Sequence, residues 1–143
     1  MALGHAAHRK LALKVLAQHA GAAAGAEAIA AAARRAYDDL ARVSAPLIGE
    51  GGFEALTGRA LHLARREYPC LVPAREAEHA AGLFSQVVAC LEQQGPAVAT
   101  EAAGAVFAIL TDLLVTFIGE PLTTRLLRKA WPDAFSDASI EET

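Results

Sequence analysis

The chain has 143 residues, a length that suits one domain able to bury about two-thirds of its unfolded surface. It is 54% hydrophobic and Ala-rich, with few aromatics and no β-branched run that reads as a strand, so an all-α fold is expected. The net charge of −3 splits unevenly: residues 1–70 hold nine Lys/Arg against six Asp/Glu, and residues 71–143 hold four against ten. Neither half is basic enough for nucleic-acid binding.

Residues 5–20 read as a first helix with Leu3, Ala7, Leu11 and Val15 on one face. His5 and His8 stand three apart, at a spacing that lets two ligands share a metal, with His19 too distant to join them. Near a chain end they read more simply as surface histidines, and no metal site is expected. The stretch 20–33 is nearly pure Ala and Gly, which suggests a hinge about 20–26 running into a strong helix former. A second helix, about 26–44, carries the stripe Ile29, Ala33, Ala36, Leu40 and Val43, continuing to Leu47. Asp38 and Asp39 are adjacent, so they point about 100° apart and read as solvated charge.

Ser44-Ala45-Pro46 and Gly49-Glu50-Gly51-Gly52 suggest a turn or a kinked segment. A third helix, about 53–67, would bury Phe53, Leu56, Ala60 and Leu63. Its other side carries Arg59, His62, Arg65 and Arg66, the best candidates for binding an anion or an acidic partner. Tyr68-Pro69-Cys70-Leu71-Val72-Pro73 reads as a stiff loop. A fourth helix, about 74–94, carries Ala77, Ala81, Phe84, Val88 and Leu91 as its core stripe and ends at Gly95-Pro96.

The most apolar stretch follows, and a central helix over 97–118 is expected to organise the bundle. A bilayer span needs about 20 apolar residues, and Asp112 interrupts this one, so a buried core helix is the better reading. Its small and polar residues Glu101, Ala105, Ala108, Asp112, Thr116 and Gly119 share one narrow face. That face suits a sliver of exposed surface, a close helix–helix contact, or a polar group aimed into a cavity. Under the last reading Asp112 and Thr116 are the pocket or buried-polar candidates. A short helix from Pro121 to Ala130 closes at Trp131-Pro132, and residues 133–143 read as an acidic disordered tail.

One pattern occurs twice. Ile48-Gly49-Glu50 returns as Ile118-Gly119-Glu120, and L-T-x-R-x-L occurs at 56–61 and at 122–127. Each copy stops at an aromatic–proline pair, Tyr68-Pro69 and Trp131-Pro132. If the repeat is structural, Arg59 and Arg125 are equivalent and suited to pair with Glu50, Glu120 or Asp112.

The chain shows no glycine-rich phosphate loop, nucleophile elbow or CxxC, so no catalytic residue and no cofactor are assigned. Cys70 and Cys90 suit reduced thiols, and no signal-peptide pattern opens the chain, so a cytoplasmic location is expected. The Ala/Gly-rich style suits a bacterial genome of high GC content. The leading expectation is a non-enzymatic single-domain bundle of five or six helices that binds a protein partner and self-associates, as a homodimer. A small-molecule-sensing bundle is the first alternative, with an apolar pocket between the central helix and helices two and four. The second is a histidine phosphotransfer-like domain using His79, although His79 lacks the flanking leucine and lysine of such domains.

Overall fold

A computed structural model describes residues 5–21, 25–71 and 82–135, apart from the side chain of Leu83. The described residues form an all-α bundle of α1 (His5–Ala20), α2 (Ala26–Ile48), α3 (Glu50–Glu67), α4 (Leu83–Glu92), α5 (Pro96–Ile118) and α6 (Glu120–Ala130). A 3₁₀ turn, Pro69–Leu71, follows α3, and no strand occurs among them.

Glycine sets the helix ends. Gly49 and Gly119 have φ/ψ of 81°/155° and 89°/159°, each ending one long helix and starting the next. Each donates back into the helix behind it, Gly49 N–H to Ala45 O at 2.8 Å and Gly119 N–H to Val115 O at 2.9 Å. Each also accepts from the helix ahead, from Phe53 N–H at 3.0 Å and Thr123 N–H at 3.1 Å. At these angles, a region essentially confined to glycine, an L side chain costs about 1–3 kcal/mol. Gly49→Ala and Gly119→Ala should therefore each lower stability by about that amount, and by similar amounts, in urea unfolding. Because Gly49 carries the turn, α2 runs on past Ser44 and through Pro46 to Ile48. Proline loses only one helical hydrogen bond this close to the end.

The repeat is geometric. α2 and α5 each span 23 residues, and both the starts (26 and 96) and the ends (48 and 118) lie 70 apart. Tyr37 is matched by Phe107, and Leu40 by Leu110. Thr57 and Thr123 are both buried, and each hydroxyl bonds back four residues, to Phe53 O at 3.0 Å and Gly119 O at 2.8 Å. α3 carries four more residues between break and threonine than α6 does, which accounts for the unequal spacing in sequence. Tyr68 and Trp131 end the copies at φ/ψ of −125°/82° and −130°/60°, the extended side to which a following proline biases a residue.

Packing follows the same order. α1 seats mainly on α5 and α4 on α2, while α3 leans on α5 and α6 on α2. Each half, α1–α3 or α4–α6, thus places its outer helices on the long helix of the other half. α1 runs antiparallel to α5, since Leu13 meets Gly104 while His5 and His8 meet Asp112. One cleft brings together the end of α1 and the starts of α2 and α5, at Ala20, Ile29 and Pro96. α2 and α5 are therefore parallel, and Gly49 and Gly119 share the opposite end of the bundle.

α5 is long and apolar enough to cross a membrane by length and composition alone. Here Ala102 through Ala108 are all buried, and it serves as the core helix. Several faces are turned from the sequence reading. α1 buries His8, Ala12, Val15 and Leu16, with Ala7 exposed. α3 buries Phe53, Thr57, Ala60, Leu61 and Ala64, leaving Leu56 and Leu63 half-buried. Leu47 does not extend the α2 stripe into the core; it is 47% exposed. On α4, Phe84 and Leu91 are buried and Val88 is half-buried, while Ala77 and Ala81 lie outside the described residues. Of the expected tail, residues 133–135 belong instead to a helical turn over 132–135 with Ala134 in the core, and Arg128 lies 5.2 Å from the Phe135 ring centre; residues 136–143 lie outside the described residues.

Candidate functional site

Three polar side chains from two helices far apart in sequence meet where α1 crosses α5. His5 and His8, one turn apart on α1, point their Nδ1 atoms at the Asp112 carboxylate. His5 reaches Oδ2 at 2.6 Å and His8 reaches Oδ1 at 2.5 Å. A carboxylate only accepts, so both rings donate from Nδ1–H. His8 is buried, His5 about half-exposed, and Asp112 about one-third exposed. His8 thus leaves the surface position expected of it, while His5 keeps it.

The small-residue face of α5 is what permits this. Ala105 and Ala108 are fully buried, and a Cβ on Gly104 would stand 2.9 Å from Leu13 Cδ2. The face is mixed: its middle is a close helix contact at Gly104, Ala105 and Ala108, while Glu101 and Thr116 are exposed surface. Thr116 does not serve as a buried polar residue: it is exposed and donates to Asp112 O at 3.1 Å, inside its own helix. A second clasp lies beside the first, where Arg9 Nη2 donates to Tyr68 Oη at 2.6 Å and ties α1 to the end of α3.

Each oxygen of Asp112 accepts one ring N–H, so the carboxylate bridges the two histidines. Among the described residues no group of three His, Cys, Asp or Glu is placed to hold a metal ion. The sequence did carry a signal, the i, i+3 histidine pair, but its partner lies 104 residues from His8.

The basic candidates on α3 separate. Arg59, His62 and Arg66 are exposed and share one side of the helix. None of them pairs with an acid among the described residues. Arg65 is half-buried, donates to Leu71 O at 3.1 Å, and holds the 3₁₀ turn. Asp38 and Asp39 are spent on α2 itself, pairing with Arg34 at 3.3 Å and Arg42 at 3.4 Å. Asp112 is taken by the histidines, so it is not paired with Arg59 or Arg125. His79 lies outside the described residues.

Of the clefts that border the described residues, two are lined mainly by apolar surface. One of about 510 Å³ lies among α1, α2 and α5, lined by Leu13, Leu16, Ile29 and Pro96 with Glu101 at its rim. This is not the expected place, since α4 does not line it. The other, of about 380 Å³, lies over Tyr37 and Phe53 and is rimmed by Arg34, Asp38, Glu50 and Glu54. Tyr37 stacks on Phe84 at 4.2 Å, and its hydroxyl meets Thr57 Oγ1 at 3.0 Å. Burial pushes its phenol pKa up, opposed by the Thr57 hydrogen bond, while Glu54 raises it, Arg34 lowers it and Asp38 raises it. The unfolded phenol ionises first, so this group's contribution to stability is present below about pH 10 and lost above it. The urea midpoint should fall between pH 9 and pH 11, and fall less in Tyr37→Phe. Burial likewise pushes the Cys90 thiol up, with Arg65 opposing and Cys70 adding, which disfavours its thiolate.

No family model matches this chain, and neither does any curated protein or solved structure.

Proposed function

We propose that this chain is a non-enzymatic helical interaction module that takes an acidic protein segment on α3 and self-associates. The observation that carries the reading is the exposed strip Arg59, His62 and Arg66, which has no acid paired to it among the described residues. Three side chains at i, i+3 and i+7 present a basic line about 10 Å long, which suits an acidic segment laid along the helix. Such contacts govern encounter rate and salt dependence more than raw affinity. A cytoplasmic, bacterial setting is part of the same proposal.

The test is binding of a fluorescent Glu-rich peptide by wild type and by Arg59→Glu/Arg66→Glu. Wild-type binding that weakens with salt and vanishes in the double variant supports the reading. Equal binding by both proteins removes the strip from it. A second reading, a sensor of apolar small molecules, is favoured by the cleft over Leu16 and Ile29. Thermal stabilisation by medium-chain fatty acids, lost on Ile29→Asp, would support that one.

A further inference from the structure

The chain has two cysteines, and the fold brings them together across the junction between its halves. Cys70 is the middle residue of the 3₁₀ turn that ends the first half, and Cys90 stands in the last turn of α4, the first helix of the second. Both are free thiols. The 3₁₀ turn packs on α4 as well as on its own helix α3. It is three residues long, so its contact with α4 falls at Cys70 or at a residue next to it. Leu71 and Leu91, each the next residue after a cysteine, are fully buried in one core. Cys90 belongs to that core, and Cys70 packs half-buried against it. Cys90 is also near enough for a charge on the Cys70 sulfur to act on it.

A cation stands beside both sulfurs. Arg65 Nε donates to Leu71 O at 3.1 Å, and Leu71 N–H donates to Tyr68 O at 3.0 Å, so the guanidinium is fixed on the turn that carries Cys70. Arg65 is in no ion pair among the described residues, which leaves its charge to the thiols. At Cys90 burial opposes the thiolate, and Arg65 works against that burial. The thiolate is the reactive form of cysteine, and a neighbouring arginine raises its share.

We propose that Cys70 and Cys90 are a redox pair that hydrogen peroxide closes into an intramolecular disulfide, tying the end of the first half to the start of the second. Cys70, the more exposed thiol, reacts first. Its thiolate attacks one peroxide oxygen, the O–O bond breaks, and the departing hydroxide takes up a proton, leaving water and a Cys70 sulfenic acid. The Cys90 sulfur then attacks the Cys70 sulfur. The S–O bond breaks, and the departing hydroxide leaves with the Cys90 proton as a second water. Two thiols thus give up two electrons in all, and one peroxide is reduced to two waters. Excess thiol reverses the bond by exchange. The pair is independent of the proposed partner strip, because Arg65 is turned to the 3₁₀ turn while Arg59, His62 and Arg66 are exposed.

Mass spectrometry of the full chain treated with hydrogen peroxide, digested without reductant, tests it. The wild type should lose the mass of two hydrogens, yield a peptide pair linked through Cys70 and Cys90, and return to its starting mass with dithiothreitol. The link should form faster in the folded chain than in the same chain unfolded in urea, because the fold holds the two thiols together. Arg65→Gln should slow it several-fold, and Arg65→Lys, which keeps the charge, should regain most of the rate. In Cys90→Ser the reaction should stop at a Cys70 sulfenic acid that dimedone traps. The wild-type measurements decide the matter even where a variant does not fold. Oxidation of the thiols without the linked pair, or cross-links only between chains, would overturn the proposal. So would a link that forms no faster in the folded chain than in urea.

Discussion

Replacing Phe107 by alanine should lower the unfolding free energy by about 3–5 kcal/mol, read from the urea midpoint at constant slope. Phe107 is 1% exposed at the middle of α5, and its ring sits in an aromatic row that reaches the first half of the molecule through Phe84 and Tyr37. It lies 5.7 Å from Phe84, and 5.7 Å edge-on from Trp131 at 89°. Phe84 in turn stacks on Tyr37, which stands 5.4 Å from Phe53. Removing the middle ring opens a cavity that rigid aromatics on two sides cannot fill, so the cost lies above simple transfer. Trp131 also donates its indole N–H to Ala36 O at 3.1 Å, so the end of α6 is fixed on α2 as well as on the ring. A domain of this size has about 5–15 kcal/mol to lose, so the variant should unfold at much lower denaturant. Phe107→Leu, which keeps more of the volume, should lose less than half as much. Equal losses in the two variants would mean that the aromatic row is incidental to the core.

The helices were legible because their ends carry chemistry. Gly49, Gly95-Pro96, Gly119 and Trp131-Pro132 mark boundaries that the structure places within one residue, since positive φ and the proline ring act locally. The buried faces were less legible. On α1 and α3 alanine is small enough to sit on any side, so apolar periodicity does not say which side is covered. His8 and Thr57 then lie in the core where Ala7 and Leu63 were expected. Thr57 is tolerated there because its hydroxyl bonds within its own helix. The repeat was visible as short matching strings. What the strings could not convey is that the first and third helices of each half pack on the other half. That is a long-range property. The candidate site shows the same division. The histidine spacing was readable, but the acid that answers it depends on how α1 crosses α5.

Asp112→Ala should release α1, at a cost of about 1–3 kcal/mol in global stability. The loss falls chiefly on His8, whose Nδ1–H is buried and would keep no acceptor, whereas His5 can turn to water. The sharper readout is hydrogen exchange, because a helix held by one polar cluster and a small-residue seam opens before the rest of the bundle. Amides of α1 should exchange about tenfold faster or more while those of α5 change little, a factor that corresponds to about 1.4 kcal/mol of local opening. Asp112→Asn separates the two ways the cluster can act. Its single carbonyl oxygen still accepts from one ring, and its amino group can donate to the other if that neutral imidazole carries its proton on Nε2. If hydrogen bonding alone holds α1, the asparagine variant should retain most of the protection. If the hold requires a negative charge between cationic rings, it should fail nearly as fully as alanine. Gly104→Leu attacks the same seam from its apolar side, since even one Cβ there meets Leu13 at 2.9 Å. It should free α1 with the His5–Asp112–His8 residues all intact. Fast exchange of α1 in both variants would show that the polar clasp and the close contact each depend on the other. Slow exchange in Asp112→Ala would assign the seating of α1 to Ala12, Val15 and Leu16 alone.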